Sequence, residues 1–319
     1  VVSVRSVIGE IGVLGTAAAA ATRLIPFEYR TPGAPAKRER IDGLSRTLRD
    51  GFSARHLAVR PGYAGNGAAL HSMLRRIRAV QQKTENGMGY VFAPAPVTAV
   101  PVVGTDDQFA VRRIYCVGRN YEAHAREMGH DPDREPPFFF AKPADAVLYV
   151  APGATGEFPY PAQSNNVHFE MELVAAIGKA GKNISADNAL DHVYGYALGL
   201  DMTRRDLQAE AKKLGRPWDT AKGFDHSAPL GPIHPVSKVG HVGKGAIWLT
   251  VNGEEKQRSD VSQLIWSVAE TIAYLSTLFE LQPGDLIFTG TPEGVGAIVQ
   301  GDLMKGGVDG LGEFSVRVV

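Results

Sequence analysis

Only one cysteine, Cys116, stands in the 319 residues, so no disulfide can form within the chain. It sits in the apolar run Ile114-Tyr115-Cys116-Val117, where a buried, inert thiol is the expected state. A lone cysteine fits a reducing compartment without establishing one. Net charge is also missing: Lys+Arg and Asp+Glu both number 34, and the pI is near 7.3. That balance speaks against nucleic acid or an anionic membrane as a partner. No apolar run reaches the ~18–20 residues that a bilayer span requires. The nearest, Ile11 to Leu24, is broken by glycines, threonines and Arg23. What is present is an ordinary supply of core, with 44% hydrophobic and 21% charged residues, enough for one or two globular domains.

The composition changes near residue 88. Residues 1–87 hold 14 Lys+Arg against 6 Asp+Glu and are rich in Arg, Ala and Gly. Tracts such as Pro32-Gly33-Ala34-Pro35-Ala36-Lys37-Arg38 read as linker, and the amphipathic pieces at Leu44 to Leu48 and Leu70 to Val80 are short and isolated. A disordered or loosely helical extension is the expectation. A start placed too far upstream, with Met88 as the physiological one, and an Arg-rich, acid-poor targeting peptide are the alternatives. No chemistry is assigned to this segment. The division expected is therefore 1–87 as extension and 88–319 as the catalytic domain.

From Met88 onward strands dominate. Val111 to Gly118, Phe138 to Ala141, Val167 to Ile177, Tyr194 to Met202, Ile247 to Val251, Leu286 to Phe288 and Phe314 to Val319 read as strands. Asn252-Gly253 after the fifth of these is a strong hairpin signal. Short helices are expected over Arg119 to Met128, ended by Gly129 and Pro132, and over Arg204 to Leu214. The clearest amphipathic helix is Val261 to Leu278, where Leu264, Ile265, Val268, Ile272, Leu275 and Leu278 recur near helical spacing. Strands outnumber helices and do not alternate with them, which argues for a β-rich α+β fold over a doubly wound parallel sheet.

Acidic residues fall inside two of these apolar runs. In Glu170-Met171-Glu172 the two carboxylates are at i and i+2 and share one face of a strand. Like charges side by side in an apolar strand are costly unless a cation neutralises them. A solvent-facing edge carrying two acids is the alternative. Asp201, in Leu200-Asp201-Met202-Thr203, adds a third carboxylate at a strand end, and Arg205 and Gln208 follow at i+4 and i+7. Three carboxylates form an all-oxygen set suited to Mg²⁺ or Mn²⁺. His168 would share the Glu170 face as a candidate supporting group.

Other strings carry acid/base and anion-binding chemistry. His124 and Glu127 are at i and i+3, neighbours on one helical face, and a carboxylate bonded to imidazole makes a workable general base near neutral pH. A surface helix of mixed charge is the alternative. Lys142 ends the apolar run Phe138-Phe139-Phe140-Ala141, and Lys222 lies in the similar setting Ala221-Lys222-Gly223-Phe224. Each either snorkels to the surface or holds an anion. The loop Thr289-Gly290-Thr291-Pro292-Glu293-Gly294-Val295-Gly296 follows a buried strand and offers N–H and hydroxyl donors. It lacks the Gly-Lys-Ser/Thr ending of a P-loop.

Taken in order, Val117-Gly118-Arg119-Asn120-Tyr121, His124 with Glu127, Phe140-Ala141-Lys142-Pro143, Glu170-Met171-Glu172, Leu200-Asp201-Met202-Thr203, Lys222-Gly223-Phe224-Asp225 and the 289–296 loop resemble the fumarylacetoacetate hydrolase family. The resemblance runs from about Arg112 to the C-terminus. It implies a mixed β-sandwich roll with a few peripheral helices, usually dimeric, and a cytoplasmic enzyme. It implies Glu170, Glu172 and Asp201 as ligands of Mg²⁺ or Mn²⁺. His124, Glu127 and Lys222 become the catalytic groups, and Lys142, Arg205, Gln208, Thr289, Gly290 and Thr291 the substrate-holding ones. The stretch Asp131 to Phe140 looks most like family members that hydrolyse fumarylpyruvate in gentisate-type aromatic degradation. Ala141, where relatives often carry a larger apolar residue, is a departure whose side chain should point away from Lys142.

The reaction implied is hydrolysis of a carbon–carbon bond in an acylpyruvate, with a small β-diketo acid as the only partner besides a second copy of the chain. Glu127, tuned by His124, is expected to take a proton from water, and carbon leaves as pyruvate enolate beside Lys222. Oxaloacetate decarboxylation or hydroxymuconate-type isomerisation on the same metal site is the alternative. The His124–Glu127 pair favours hydrolysis. A distal carboxylate on the acyl group would need a cation, for which Arg119, Arg126 and Arg134 are all available.

Overall fold

The computed structural model describes residues 90–127 and 135–319. The expectations for residues 1–87, for Met88, and for Gly129, Pro132 and Arg134 lie outside the described residues. Residues 90–95 are exposed and carry no regular element, and Pro96–Val319 form one compact unit.

In chain order the strands are β1 Ala99–Pro101, β2 Gln108–Ala110, β3 Arg113–Gly118, β4 Phe138–Lys142, β5 Val147–Tyr149, β6 Thr155–Phe158, β7 Val167–Phe169, β8 Met171–Ile177 and β9 Val193–Leu200. They continue with β10 Thr203–Arg204, β11 Ala228–Leu230, β12 His234–Pro235, β13 Ala246–Val251, β14 Glu254–Asp260, β15 Asp285–Phe288, β16 Gly296–Ile298, β17 Leu303–Val308 and β18 Gly312–Val318. The helices are α1 Glu122–Glu127, α2 Ala186–Ala189, α3 Arg205–Leu214, α4 Asp219–Lys222, α5 Val236–Val239 and α6 Val268–Leu278.

An eight-stranded sheet in the order β4-β3-β15-β8-β9-β11-β5, with β12 beside β9, forms the centre. It is mixed, since β3 with β15 and β5 with β11 run parallel. A five-stranded sheet, β14-β13-β17-β18-β6, covers one of its faces. Alternation decides what lies between them. Met171, Leu173, Ala175 and Ile177 of β8 point into the core shared with Ile247, Leu249, Met304 and Val316. Val174 and Ala176 point the other way, to a second core with Cys116, Ala197, Leu230 and Phe288. Glu172 shares that second face by the same period. The buried Cys116 thiol is pushed well above its usual pKa by burial, which fits the inert role expected of it.

Three expected elements differ. The helix expected over Arg119 to Met128 begins only at Glu122, with Arg119 left-handed at φ 54°. The Val167 to Ile177 run is two strands, because the chain changes sheet at Glu170: β7 pairs with β10 and β16, and β8 pairs with β9 and β15. The Val261 to Leu278 helix starts only at Val268. Val261–Gln263 is a single 3₁₀ turn, and the Ile265 N–H is taken by the Asn120 carbonyl at 2.9 Å. Ser267 and Glu270 then form a capping box that starts α6. The Asn252-Gly253 hairpin forms as read, both residues at positive φ (52° and 85°) between β13 and β14. No helix among the described residues is long and apolar enough to cross a membrane.

Candidate metal site and active-site cleft

Three strand ends deliver the carboxylates. Glu170 occupies the junction of β7 and β8, Glu172 is the second residue of β8, and Asp201 follows β9 directly. The Asp201 N–H donates to the Glu170 carbonyl at 2.9 Å and ties the two ends together. All three side chains are buried, and one oxygen of each lies within 4.8 Å of the others. Convergence thus comes from a bend at Glu170 rather than from alternation along one strand.

Cationic side chains surround the group. Lys222, the last residue of α4, donates to Glu170 Oε2 and to Asp201 Oδ2, both at 2.7 Å. Arg205, the first residue of α3, reaches Glu170 Oε1 at 2.5 Å and Gln208 Oε1 at 2.7 Å. Asp201 itself lies before α3, while Arg205 and Gln208 form the linked pair on it. Lys142 is expected to hold substrate, but the structure gives its ammonium to the protein. It pairs with Asp201 Oδ1 at 2.8 Å and donates to the carbonyls of Met202 and Lys222. The end of β4 buries it completely, and it is not among the residues that line the cleft.

The charges are unevenly matched. Burial opposes ionisation of Glu170, but Lys222 and Arg205 outweigh it and hold its pKa well below the carboxylate range. Burial, then Asp201 and Glu170, push Glu172 well above that range, and its hydrogen bond from the Gly290 N–H (2.7 Å) offsets only part of this. The contact of Lys142 with Asp201 Oδ1 lacks hydrogen-bond direction, so that buried oxygen accepts no hydrogen bond. An under-neutralised carboxylate and an orphaned carboxylate oxygen in one buried all-oxygen cluster fit a hard divalent cation, Mg²⁺ or Mn²⁺.

Glu170 and Glu172 open on a cleft of about 410 Å³, lined also by His124, Arg205, Gln208, Lys222 and Thr291. His124 Nδ1 lies 3.1 Å from Glu127 Oε2, as the i, i+3 spacing on α1 predicts. The Glu127 carboxylate also accepts the Gly294 N–H at 3.1 and 3.2 Å. His124 is on the cleft wall, whereas Glu127 meets it through the ring. His168 bonds Asn166 Oδ1 at 2.9 Å, and burial lowers its pKa to about 4, so it stays neutral.

The 289–296 loop serves the site mostly through its backbone. Thr289, expected to hold substrate, spends its hydroxyl on the Leu173 carbonyl at 2.9 Å. Gly290 bonds Glu172, and the Thr291 hydroxyl donates to the Met171 carbonyl at 2.9 Å while lining the cleft. Two supports escape the sequence reading. Gln257, the one buried residue of β14, accepts the Met171 N–H (3.0 Å) and donates to Thr291 Oγ1 (2.9 Å). Asn120 clamps the Thr289 and Trp266 carbonyls at 2.7 and 2.9 Å. A polar residue in a strand of polar residues gives no sign of its burial. Asn120 follows Arg119 in Val117-Gly118-Arg119-Asn120-Tyr121 but carries no charge to single it out.

The family model for the fumarylacetoacetate hydrolase C-terminal domain matches residues 113–319. A fumarylpyruvate hydrolase from a Ralstonia species is 52% identical over 193 residues, which are 60% of this chain and 98% of that protein. The mitochondrial oxaloacetate decarboxylase of Dictyostelium discoideum is 42% identical over 200 residues, 63% of this chain and 90% of that one. Among solved structures, a fumarylpyruvate hydrolase from Pseudomonas aeruginosa, in complex with Mn²⁺ and pyruvate, is 62% identical. It covers 72% of this chain and 99% of its own, with a TM-score of 0.72.

Proposed function

The chain belongs to the fumarylacetoacetate hydrolase family, and from that premise we propose that it hydrolyses fumarylpyruvate to fumarate and pyruvate. The observation that carries this reading is one cleft wall holding Glu170 and Glu172 of the buried carboxylate set together with His124 of the His124–Glu127 pair. The two fumarylpyruvate hydrolases, at 52% and 62% identity, support the same substrate.

Glu170, Glu172 and Asp201 would hold a divalent cation, which would supply Lewis-acid charge for a keto-acid substrate. The remaining work falls to the chain. With Glu127 accepting at Nδ1, the neutral imidazole carries its proton there and leaves Nε2 basic. This geometry supports a division opposite to the one read from sequence, with His124 as base and Glu127 as its orienting partner. His124 takes a proton from water, and the hydroxide adds to the distal acyl carbonyl. Collapse of the tetrahedral adduct forms the fumarate carboxylate and breaks the carbon–carbon bond. The electron pair leaves on pyruvate as its enolate, which then takes a proton at carbon. General-base help of this kind contributes about 10²–10⁴-fold. The Lys222 ammonium adds preorganised positive charge beside the enolate. Arg205 fixes Glu170, and Lys142 fixes Asp201. In the cell the reading is a cytoplasmic homodimer of gentisate-type aromatic degradation, with 88–319 as its catalytic part. A single-chain mass in light scattering would remove the dimer.

Loss of the enol absorbance of fumarylpyruvate is the direct test, with Mg²⁺ and then with chelator. Fast, metal-dependent loss with fumarate and pyruvate as products is expected. No loss, but carbon dioxide from oxaloacetate, would keep the metal site and overturn the hydrolase.

A further inference from the structure

Besides the groups used above, the cleft wall holds Lys212 and Arg119 with the aromatic rings of Phe138, Phe140 and Trp218. Arg205, Gln208 and Lys212 fall at i, i+3 and i+7 on α3 and so share one helix face. At ~1.5 Å of rise per residue, Lys212 lies about 10 Å along the axis from Arg205. Arg205 marks the metal end of the cleft, and Lys212 marks its rim. The space between suits an extended acyl chain of a few carbons.

Both cations are short of anions. Lys212 Nζ stands 5.2 Å from the centre of the Trp218 ring and pairs with no carboxylate among the described residues. Partial burial, then Arg205 and Arg119, lower its pKa. Arg119 lies over the Phe138 ring at 4.9 Å, and its ion pair among the described residues is a 3.8 Å contact with the exposed Glu135. Such a solvated contact is worth little and is readily exchanged. The Arg119 backbone is left-handed (φ 54°), a conformation that a residue with a side chain adopts at a cost and that collects at functional sites. Of the three arginines available from sequence, Arg126 is engaged with Glu122 on the exposed face of α1, and Arg134 lies outside the described residues.

We propose that Lys212 and Arg119 form the site for a carboxylate at the far end of the acyl group, and so set a preference for acyl chains that end in an anion. The proposal rests on the acylpyruvate reading above. Arg119 offers a planar fork to the carboxylate and Lys212 a point charge, while the Trp218 and Phe138 rings, packed edge to face at 5.6 Å, form one aromatic wall for a flat, conjugated chain.

The test compares fumarylpyruvate with acetylpyruvate, which lacks the distal carboxylate, in the full chain with Mg²⁺. Lys212→Met and Arg119→Met should each lower the ratio of the two kcat/KM values about 10–100-fold, the worth of a charge-assisted bond. Lys212→Arg should keep most of the preference. A second readout needs no turnover: wild type should bind fumarate more tightly than crotonate in calorimetry, and Lys212→Met should lose that difference. Equal losses on both substrates, or equal binding of fumarate and crotonate by wild type, would overturn the proposal. If wild type hydrolyses neither substrate, the hydrolase reading fails, and the fumarate–crotonate comparison still decides this one.

Discussion

His124 and Glu127 show what a single hydrogen bond fixes in an imidazole. The 3.1 Å contact from Glu127 Oε2 to Nδ1 selects the tautomer, and the Gly294 N–H holds the carboxylate in place. His124→Asn should therefore lower kcat by about 10²–10⁴-fold. Glu127→Gln keeps the shape but offers an amide that no longer requires a proton on Nδ1, and kcat should fall with Mn²⁺ affinity unchanged. Turnover and Mn²⁺ calorimetry on both variants check this, and a Glu127→Gln variant at wild-type rate would remove the pair from the mechanism. Residue types alone marked Glu170, Glu172, Asp201 and Lys222 as candidates, because acids and a lysine in apolar surroundings demand an electrostatic reason, but left a solvent-facing edge and a snorkelling lysine open. They did not distinguish groups facing the cleft from groups behind it. Lys142 and Thr289 stand in strings of the same kind, yet their polar atoms are spent on Asp201 and on the Leu173 carbonyl. Direction is a property of the packed strand end, which sequence spacing does not give.

At the scale of the element, Gly290 is where the loop after β15 meets the carboxylates. Its φ is 101°, its N–H bonds Glu172, and a Cβ there would sit 2.7 Å from Asn120 Cβ. Gly290→Ala should cost about 1–3 kcal/mol from crowding and strained backbone. It should also weaken Mn²⁺ binding, because the N–H turned to Glu172 has to move. Urea unfolding and calorimetry read the two effects separately, and an unchanged midpoint would show that Asn120 gives way. Elements with their own local signals were legible: the Asn252-Gly253 turn, the i, i+3 pair of α1 though not its start at Glu122, and α3. The break at Glu170 was not, since an apolar run records burial but not the partner strand. The start of α6 was overextended because apolar spacing at Leu264 and Ile265 mimics a helix. Ser267 and Glu270 carried the true start, three residues apart.

For the whole molecule, the site is a consequence of how two sheets and a short third one share a chain. Burying Met171, Leu173, Ile287 and Met304 between the large sheets fixes the ends of β8, β9 and β15. Those ends bring Glu172, Asp201 and the 289–296 loop together whether or not their charges are balanced. The fold thus holds an electrostatic cost in place, and a cation that binds only the folded chain relieves it. Linkage then requires stability to rise with metal. At a free concentration 100 times Kd the gain is about 2.7 kcal/mol, or roughly 5–10 °C in Tm for a unit of this size. Mg²⁺ or Mn²⁺ should produce that rise in a thermal scan, and a chelator should reverse it. Glu170→Ala should abolish the shift along with activity, leaving Lys222 and Arg205 without their shared partner. Glu172→Gln should abolish the shift too, yet melt no lower than metal-free wild type, because it deletes the carboxylate that burial and its neighbours disfavour. A Glu172→Gln protein that melts well below metal-free wild type would mean that the charge is already balanced within the chain and that the cation has no deficit to fill.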